Sequence, residues 1–92
     1  MELRHLRYFL AVAETGSISH AAQKLFIAQP PLSAQIRQLE EEIGAPLLVR
    51  LPRGVALTAA GQSFLIDARA ILARSQDAGV RARQVHEQQA HV

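Results

Sequence analysis

Residues 29–43 read Gln29-Pro30-Pro31-Leu32-Ser33-Ala34-Gln35-Ile36-Arg37-Gln38-Leu39-Glu40-Glu41-Glu42-Ile43. Leu32, Ile36, Leu39 and Ile43 recur at steps of four, three and four, which lays an apolar seam along one side of a helix. At about 100° per residue, Pro30, Ala34, Arg37 and Gln38 fall on the side away from that seam, with Gln29 and Ser33 at its margin. Pro30 and Pro31 fit only the first turn, where a missing N–H costs nothing. An apolar back and a front of small or amide side chains suit a helix that enters a groove. Glu40, Glu41 and Glu42 crowd the far end. If the groove is that of DNA, the N-terminal turn goes in and the acidic end stays away from phosphate.

Working towards the N-terminus, Phe26, Ile27 and Ala28 read as a tight apolar connection. Before it, Ile18, Ala21, Ala22 and Leu25 make the stripe of a short helix, and the two alanines permit a close helix crossing. Ser17 reads as its N-cap and Gly16 as the break from a preceding helix, Leu3 to Glu14. On that first helix Leu3, Leu6, Phe9, Leu10 and Ala13 form the expected core face, leaving Glu2, Arg4, His5 and Arg7 outside it. Two short helices joined by three or four residues, the second with a polar front, is the helix-turn-helix pattern.

Towards the C-terminus, Gly44 reads as a C-cap and Pro46 stops the helix from resuming. Leu47 to Arg50 and Val55 to Leu57 flank the turn Leu51-Pro52-Arg53-Gly54, which predicts a small hairpin with Arg50 and Arg53 near its tip. Thr58 caps a last helix expected from Ala59 to about Gln88, roughly 45 Å at 1.5 Å per residue. Its seam runs Phe64, Ala68, Ile71, Ser75, Ala78, Ala82 and Val85, with Leu72 beside Ile71, in alternating steps of four and three. So long a helix outreaches a body of fewer than sixty residues, and a second copy is the simplest cover for its outer half. Asp77 and Arg81 are spaced for an i,i+4 pair, and Gln88 to Val92 are expected to fray. The predicted fold is therefore mainly α, a winged helix-turn-helix with a small β-hairpin wing and a long C-terminal linker helix for dimerisation. Residues 1–58 form the body and 59–92 the linker.

Composition narrows the partners. Ninety-two residues, 49% of them apolar, make one folded domain. Four aromatics, Tyr8, Phe9, Phe26 and Phe64, are too few for a base-stacking platform on single strands. The net charge of +2 is mildly basic and weak support for a polyanion. With no cysteine, disulfides and thiolate zinc sites are excluded. His5, His20, His86 and His91 lack ligand spacing, so no metal or cofactor is expected. No apolar run is long enough for a signal peptide or a membrane span, which makes a cytoplasmic protein the expectation.

The chain resembles the N-terminal DNA-binding domain of the LysR-type transcriptional regulators. The likeness is carried by Leu3-Arg4-His5-Leu6-Arg7-Tyr8-Phe9 with Ala11 to Glu14, and by Gly16 to Ser19 with Ala21, Ala22 and Leu25. It continues through Gln29 to Ser33, Gln35, Ile36, Leu39, Glu40, Gly44, Leu47, Arg50, Leu57, Thr58, Ala60 and Gly61. Gln29-Pro30-Pro31 and the opening Met1 to Leu6 look closest to regulators of aromatic-compound breakdown. The resemblance implies a double-stranded DNA partner, an interrupted palindrome in a promoter, a homodimer through the linker helix, and a tetramer in the full-length protein. By position it implies that Gln29, Pro30 and Ser33 face bases, with Pro31 and Ala34 also in the DNA-binding set, that Gln35 and Arg37 lie near the backbone, and that Arg53 approaches the minor groove. Two positions depart from the family pattern. Ala28 stands where Ser or Thr often caps the recognition helix, and Ala34 stands where Arg is usual. A missing bidentate arginine–guanine contact forfeits about 1–3 kcal/mol, although Ala34 can still meet a thymine methyl. Family members also carry a ligand-sensing domain after the linker helix, so this chain reads as an excised DNA-binding domain.

Ser17 is a structural cap first, with its hydroxyl at the motif's edge within reach of phosphate. Among Arg4, Arg7 and Lys24, one or two phosphate contacts are expected, and Arg50 has either phosphate or an acidic neighbour as its partner. Two other function classes stay open: an interaction module whose long helix docks a protein, and a small hydrolase. The second is remote, because Ser63 follows Gly61-Gln62 without the second glycine of a nucleophile elbow and no base or metal set accompanies it.

Overall fold

The computed structural model describes residues 1–90. Its elements are α1 (Leu3–Thr15), α2 (Ile18–Leu25), α3 (Gln29–Ile43), β1 (Leu48–Arg50), β2 (Val55–Leu57) and α4 (Ala59–Ala90). The strands form one antiparallel hairpin in which Leu48 faces Leu57, Val49 faces Ala56 and Arg50 faces Val55. This is the winged helix-turn-helix with a long last helix that periodicity predicts.

α1 is the hub, touching α2, α3, α4 and β2. A helix covered from several sides buries more than one stripe, and here the expected face needs correction. His5, Leu6, Phe9, Ala11 and Val12 are buried, whereas Leu3 is exposed and Leu10 and Ala13 are only half-buried. His5, expected outside, is 2% exposed. Its Nδ1 accepts the Glu2 N–H (3.2 Å), and with the Glu2 side chain it closes a capping box at the start of α1. The α2 cap is as expected: Ser17 Oγ accepts the His20 N–H at 3.1 Å. Ala21 and Ala22 are buried, as are Leu32, Ile36 and Leu39 of α3. Each fully buried Leu or Ile contributes about 1.5–3 kcal/mol, so this seam fixes the pose of α3.

The connection after α2 differs from expectation in one respect. Ile27 is half-buried, but Phe26 is 94% exposed. The turn needs a left-handed residue here (φ 58°, ψ 40°), and that geometry lets the Phe26 N–H reach the carbonyls of Ala22 and Gln23 while the side chain swings outward.

The wing is held by backbone. The Val55 N–H donates to the Gly16 carbonyl (3.0 Å), and the Thr58 N–H to the Leu47 carbonyl (3.0 Å). Gly54 has φ +81°, and a Cβ there would strike the Gly16 carbonyl oxygen, so both backbone shape and space call for glycine. Thr58 Oγ1 donates to the Pro46 carbonyl (2.7 Å) and accepts the Gly61 N–H (2.9 Å), capping α4 while anchoring it to the base of the wing.

α4 begins on the body and leaves it. The Phe64 ring meets the Phe9 ring edge-on at 5.3 Å, Ala68 is fully buried, and Leu72 packs against the core. The proposed dimer seam is thus corrected at Phe64, Ala68 and Leu72, which are spent on this chain's own core because α4 crosses α1 there. Ile71, beside Leu72, and Ser75, Ala78, Ala82 and Val85 further on are exposed on a helix about 48 Å long by its rise per residue. The molecule is accordingly elongated, 60 × 26 × 19 Å. The expected Asp77–Arg81 pair does not form; Arg83 and Glu87 approach instead at 3.8 Å. Exposed i,i+4 pairs contribute only a few tenths of a kcal/mol, too little to dictate which one closes. The helix continues through Ala90, so Gln88 to Ala90, expected to fray, are placed in helix, and His91 and Val92 lie outside the described residues.

Candidate nucleic-acid interface

The seam of α3 decides what its other side presents. Gln29, Pro30, Pro31, Ala34, Arg37 and Gln38 are exposed, and Ser33 is half-buried. Gln35 differs: it is half-buried, and its Oε1 is shut from solvent without a hydrogen-bond partner. One residue before Ile36, it lies on the shoulder of the seam rather than on the front.

The start of α3 explains Ala28. An N-cap side chain bonds the N–H of the second or third helical residue, and here those are Pro30 and Pro31, which have none. The Leu32 N–H already reaches the Ala28 carbonyl at 3.4 Å. A capping hydroxyl at position 28 would find no donor, so alanine loses no bond.

The turn Gly16-Ser17 and the wing bring distant residues together. A polar cleft is lined by Ser17, Ile18, Ser19 and Gln29 on one side and by Arg50, Leu51, Gly54 and Val55 on the other. Ser17, Gln29 and Arg50, singled out separately in the sequence, share this cleft; Ser19 and Leu51 join it with no signal that sequence patterning offers. Arg53 is exposed at the tip of the hairpin. Among the described residues neither Arg50, Arg53, Arg37 nor Arg7 has a carboxylate partner, whereas Arg4 pairs with Glu2 (2.8 Å) and Lys24 with Glu14 (3.9 Å). The acidic neighbour considered for Arg50 is therefore not there. The unpaired guanidiniums lie on the front of α3, on α1 and on the wing.

The acidic end of α3 has its own work. Glu40 Oε2 accepts the Leu47 N–H (2.7 Å) and the Leu48 N–H (3.2 Å). Glu42 pairs with the Met1 ammonium (2.5 Å). The hydrogen bond from that ammonium, with its charge and a smaller contribution from His5, holds the Glu42 carboxyl below its ordinary pKa despite an opposing effect of burial. Two of the three carboxylates are thus occupied inside the chain. No group of three His, Asp or Glu side chains is placed to hold a metal among the described residues, and no helix is long and apolar enough to cross a membrane.

A helix-turn-helix whose second helix turns amides and small residues outward, beside a wing carrying unpaired arginines, defines a winged-helix nucleic-acid-binding domain. Residues 3–62 match the family model described as bacterial regulatory helix-turn-helix protein, lysR family. The chain belongs to the LysR family. It is 59% identical over 85 residues to the Hca operon transcriptional activator HcaR of Escherichia coli (strain K12), covering 92% of this chain and 29% of that protein. Among solved structures it is similar to the CbnR_DBD–DNA complex, with 48% identity, a TM-score of 0.90, and coverage of 92% of this chain and 98% of that one. It is equally similar to the BenM_DBD/catB site 1 DNA complex, with 48% identity, a TM-score of 0.89, and coverage of 92% and 96%. The chain spans less than a third of the length of the curated relative it matches.

Proposed function

We propose that this chain is the sequence-specific, double-stranded DNA-binding domain of a LysR-type transcriptional regulator, acting on an interrupted palindromic promoter site as a dimer. The observation that carries it is the single polar cleft joining Gln29 at the front of α3 to Ser17 and to Arg50 of the wing. In this reading residues 1–58 bind DNA and residues 59–92 pair two copies. The likeness to two structures that are themselves DNA complexes supports it.

Gln29 offers an amide that can pair bidentately with adenine, and Pro30, Pro31, Ser33 and Ala34 supply close contact in the major groove. Arg37, Arg50, Ser17 and Gln35 serve the phosphates, and Arg53 the minor groove. Ile71, Ser75, Ala78, Ala82 and Val85, exposed along α4, form the contact between copies. The full-length protein is a cytoplasmic tetramer that works by binding, with no cofactor in this domain, and its targets fall in the aromatic-compound group.

A duplex selected by the chain from a randomised pool should outbind random duplex by about a thousandfold or more at physiological salt, with a steep fall as salt rises. Alanine at both Gln29 and Arg53 should remove that preference while sedimentation still shows the dimer. Equal affinity for selected and random duplex at moderate salt would overturn the proposal.

A further inference from the structure

Wing and recognition helix must be held in a fixed relation if one duplex is to meet both, yet little joins them directly. The backbone tethers of the wing run to Gly16 and to Thr58, neither of which is on α3. The link from α3 is Glu40, whose single oxygen Oε2 accepts the backbone N–H groups of Leu47 (2.7 Å) and Leu48 (3.2 Å), at the root of β1. Leu47 is 1% exposed and Leu48 8%, so neither N–H has water as a ready alternative. A carboxylate acceptor makes these bonds shorter and stronger than neutral ones.

We propose that Glu40 is a positioning residue: it sets the angle of the wing against α3, and so determines whether Arg53 reaches DNA when Gln29 is seated in the groove. This rests on the DNA-binding function proposed above. Glu40 touches no DNA; it acts through the wing. Its effect on affinity should therefore disappear once the wing contact is gone, and should persist when a contact of α3 is removed.

The test is a pair of double-mutant cycles on the 92-residue chain, read by fluorescence anisotropy on the duplex that the wild-type chain selects from a randomised pool. Circular dichroism at the assay temperature checks that each variant is folded. Glu40→Ala should weaken binding by about tenfold in the wild-type background and in Gln29→Ala, but by about twofold or less where both wing arginines are removed, in Arg50→Ala/Arg53→Ala. Glu40→Gln should restore most of the affinity, because one amide oxygen can accept both N–H groups. Should Glu40→Ala be unfolded, Glu40→Asp takes its place in both cycles, its carboxylate being one methylene short of Leu47. The same loss in all three backgrounds, or no loss, overturns the positioning role. Failure of the pool to yield any preferred duplex would instead overturn the DNA-binding proposal itself.

Discussion

Replacing Gly61 with alanine should destabilise this chain, although the same change in an ordinary helix stabilises. In a helix interior alanine is favoured over glycine by about 0.8–1.0 kcal/mol, and Gly79 shows the ordinary case, since a Cβ there meets nothing within 4 Å. At Gly61 a Cβ would overlap the Leu47 carbonyl oxygen, sit 3.0 Å from the Leu47 carbonyl carbon and 3.3 Å from Leu57 Cδ2. That oxygen accepts the Thr58 N–H (3.0 Å), so backing away strains the cap of α4 and the root of the wing together. Overpacking of this kind costs about 1–3 kcal/mol, and a weakened backbone hydrogen bond about 0.5–1.5 kcal/mol more. Set against the helical gain, the net loss is about 1–3 kcal/mol. For a domain this size that lowers Tm by about 5–20 °C. Thermal melts followed by circular dichroism, at a protein concentration low enough to limit self-association, should show Gly61→Ala melting lower and Gly79→Ala slightly higher than the wild type. If both substitutions raised Tm alike, the close approach of α4 to the Leu47 carbonyl would be refuted.

Three further outcomes are expected. Phe26 is exposed and left-handed, so Phe26→Asn should leave the fold intact and raise stability by about 0.5–1 kcal/mol, measurable by urea denaturation. Glu42 is held below its ordinary pKa in the folded chain, so its ion pair stabilises fully above the unfolded carboxylate pKa and fades as pH falls through the depressed folded value. N-terminal acetylation should return the Glu42 titration, followed by NMR, to the ordinary carboxylate range. Ala34 is exposed on the front of α3, so Ala34→Arg should change stability by less than about 0.5 kcal/mol. The same substitution should gain about 1–3 kcal/mol on duplexes with guanine at the facing position, as reselection from the random pool would reveal.

Local signals carried most of the fold. Caps at Ser17 and Thr58, the stop at Gly44 and the Pro/Gly turn of the wing all act within a few residues of where they are written, and each formed where expected. What periodicity could not supply was the number of neighbours each helix has. α1 is packed from several sides, and His5 and Ala11 were therefore buried although the stripe through Leu3 and Leu10 looked apolar. The site divided in the same way. The front of α3 follows from its seam, so Gln29, Pro30 and Ala34 could be read in advance, whereas the cleft between Ser17 and Arg50 depends on how the wing docks on Gly16. The Glu40 bonds join residues seven and eight apart across a helix end, a spacing no helical or strand period marks.

The stripe on α4 shows why a continuous pattern need not have one use. Phe64 and Ala68 belong to the same four-and-three seam as Ala78, Ala82 and Val85, with Leu72 beside it, yet the first two and Leu72 meet α1 and the core while the last three leave the body with the helix. A single helical face can serve two partners in succession when its length exceeds the first, and the size of the side chains records the change: Phe and Leu fill the domain core, and Ala and Ser replace them where the helix runs clear. Small residues there give up little as an exposed surface and let a second helix approach closely. Ile71 stands at the junction, just under one turn past the last fully buried residue and 42% exposed. Ile71→Glu should therefore weaken self-association with little effect on the melting of the body, whereas Ala68→Glu, on the same stripe one turn earlier, should unfold it, because that charge would be placed where nothing pairs with it.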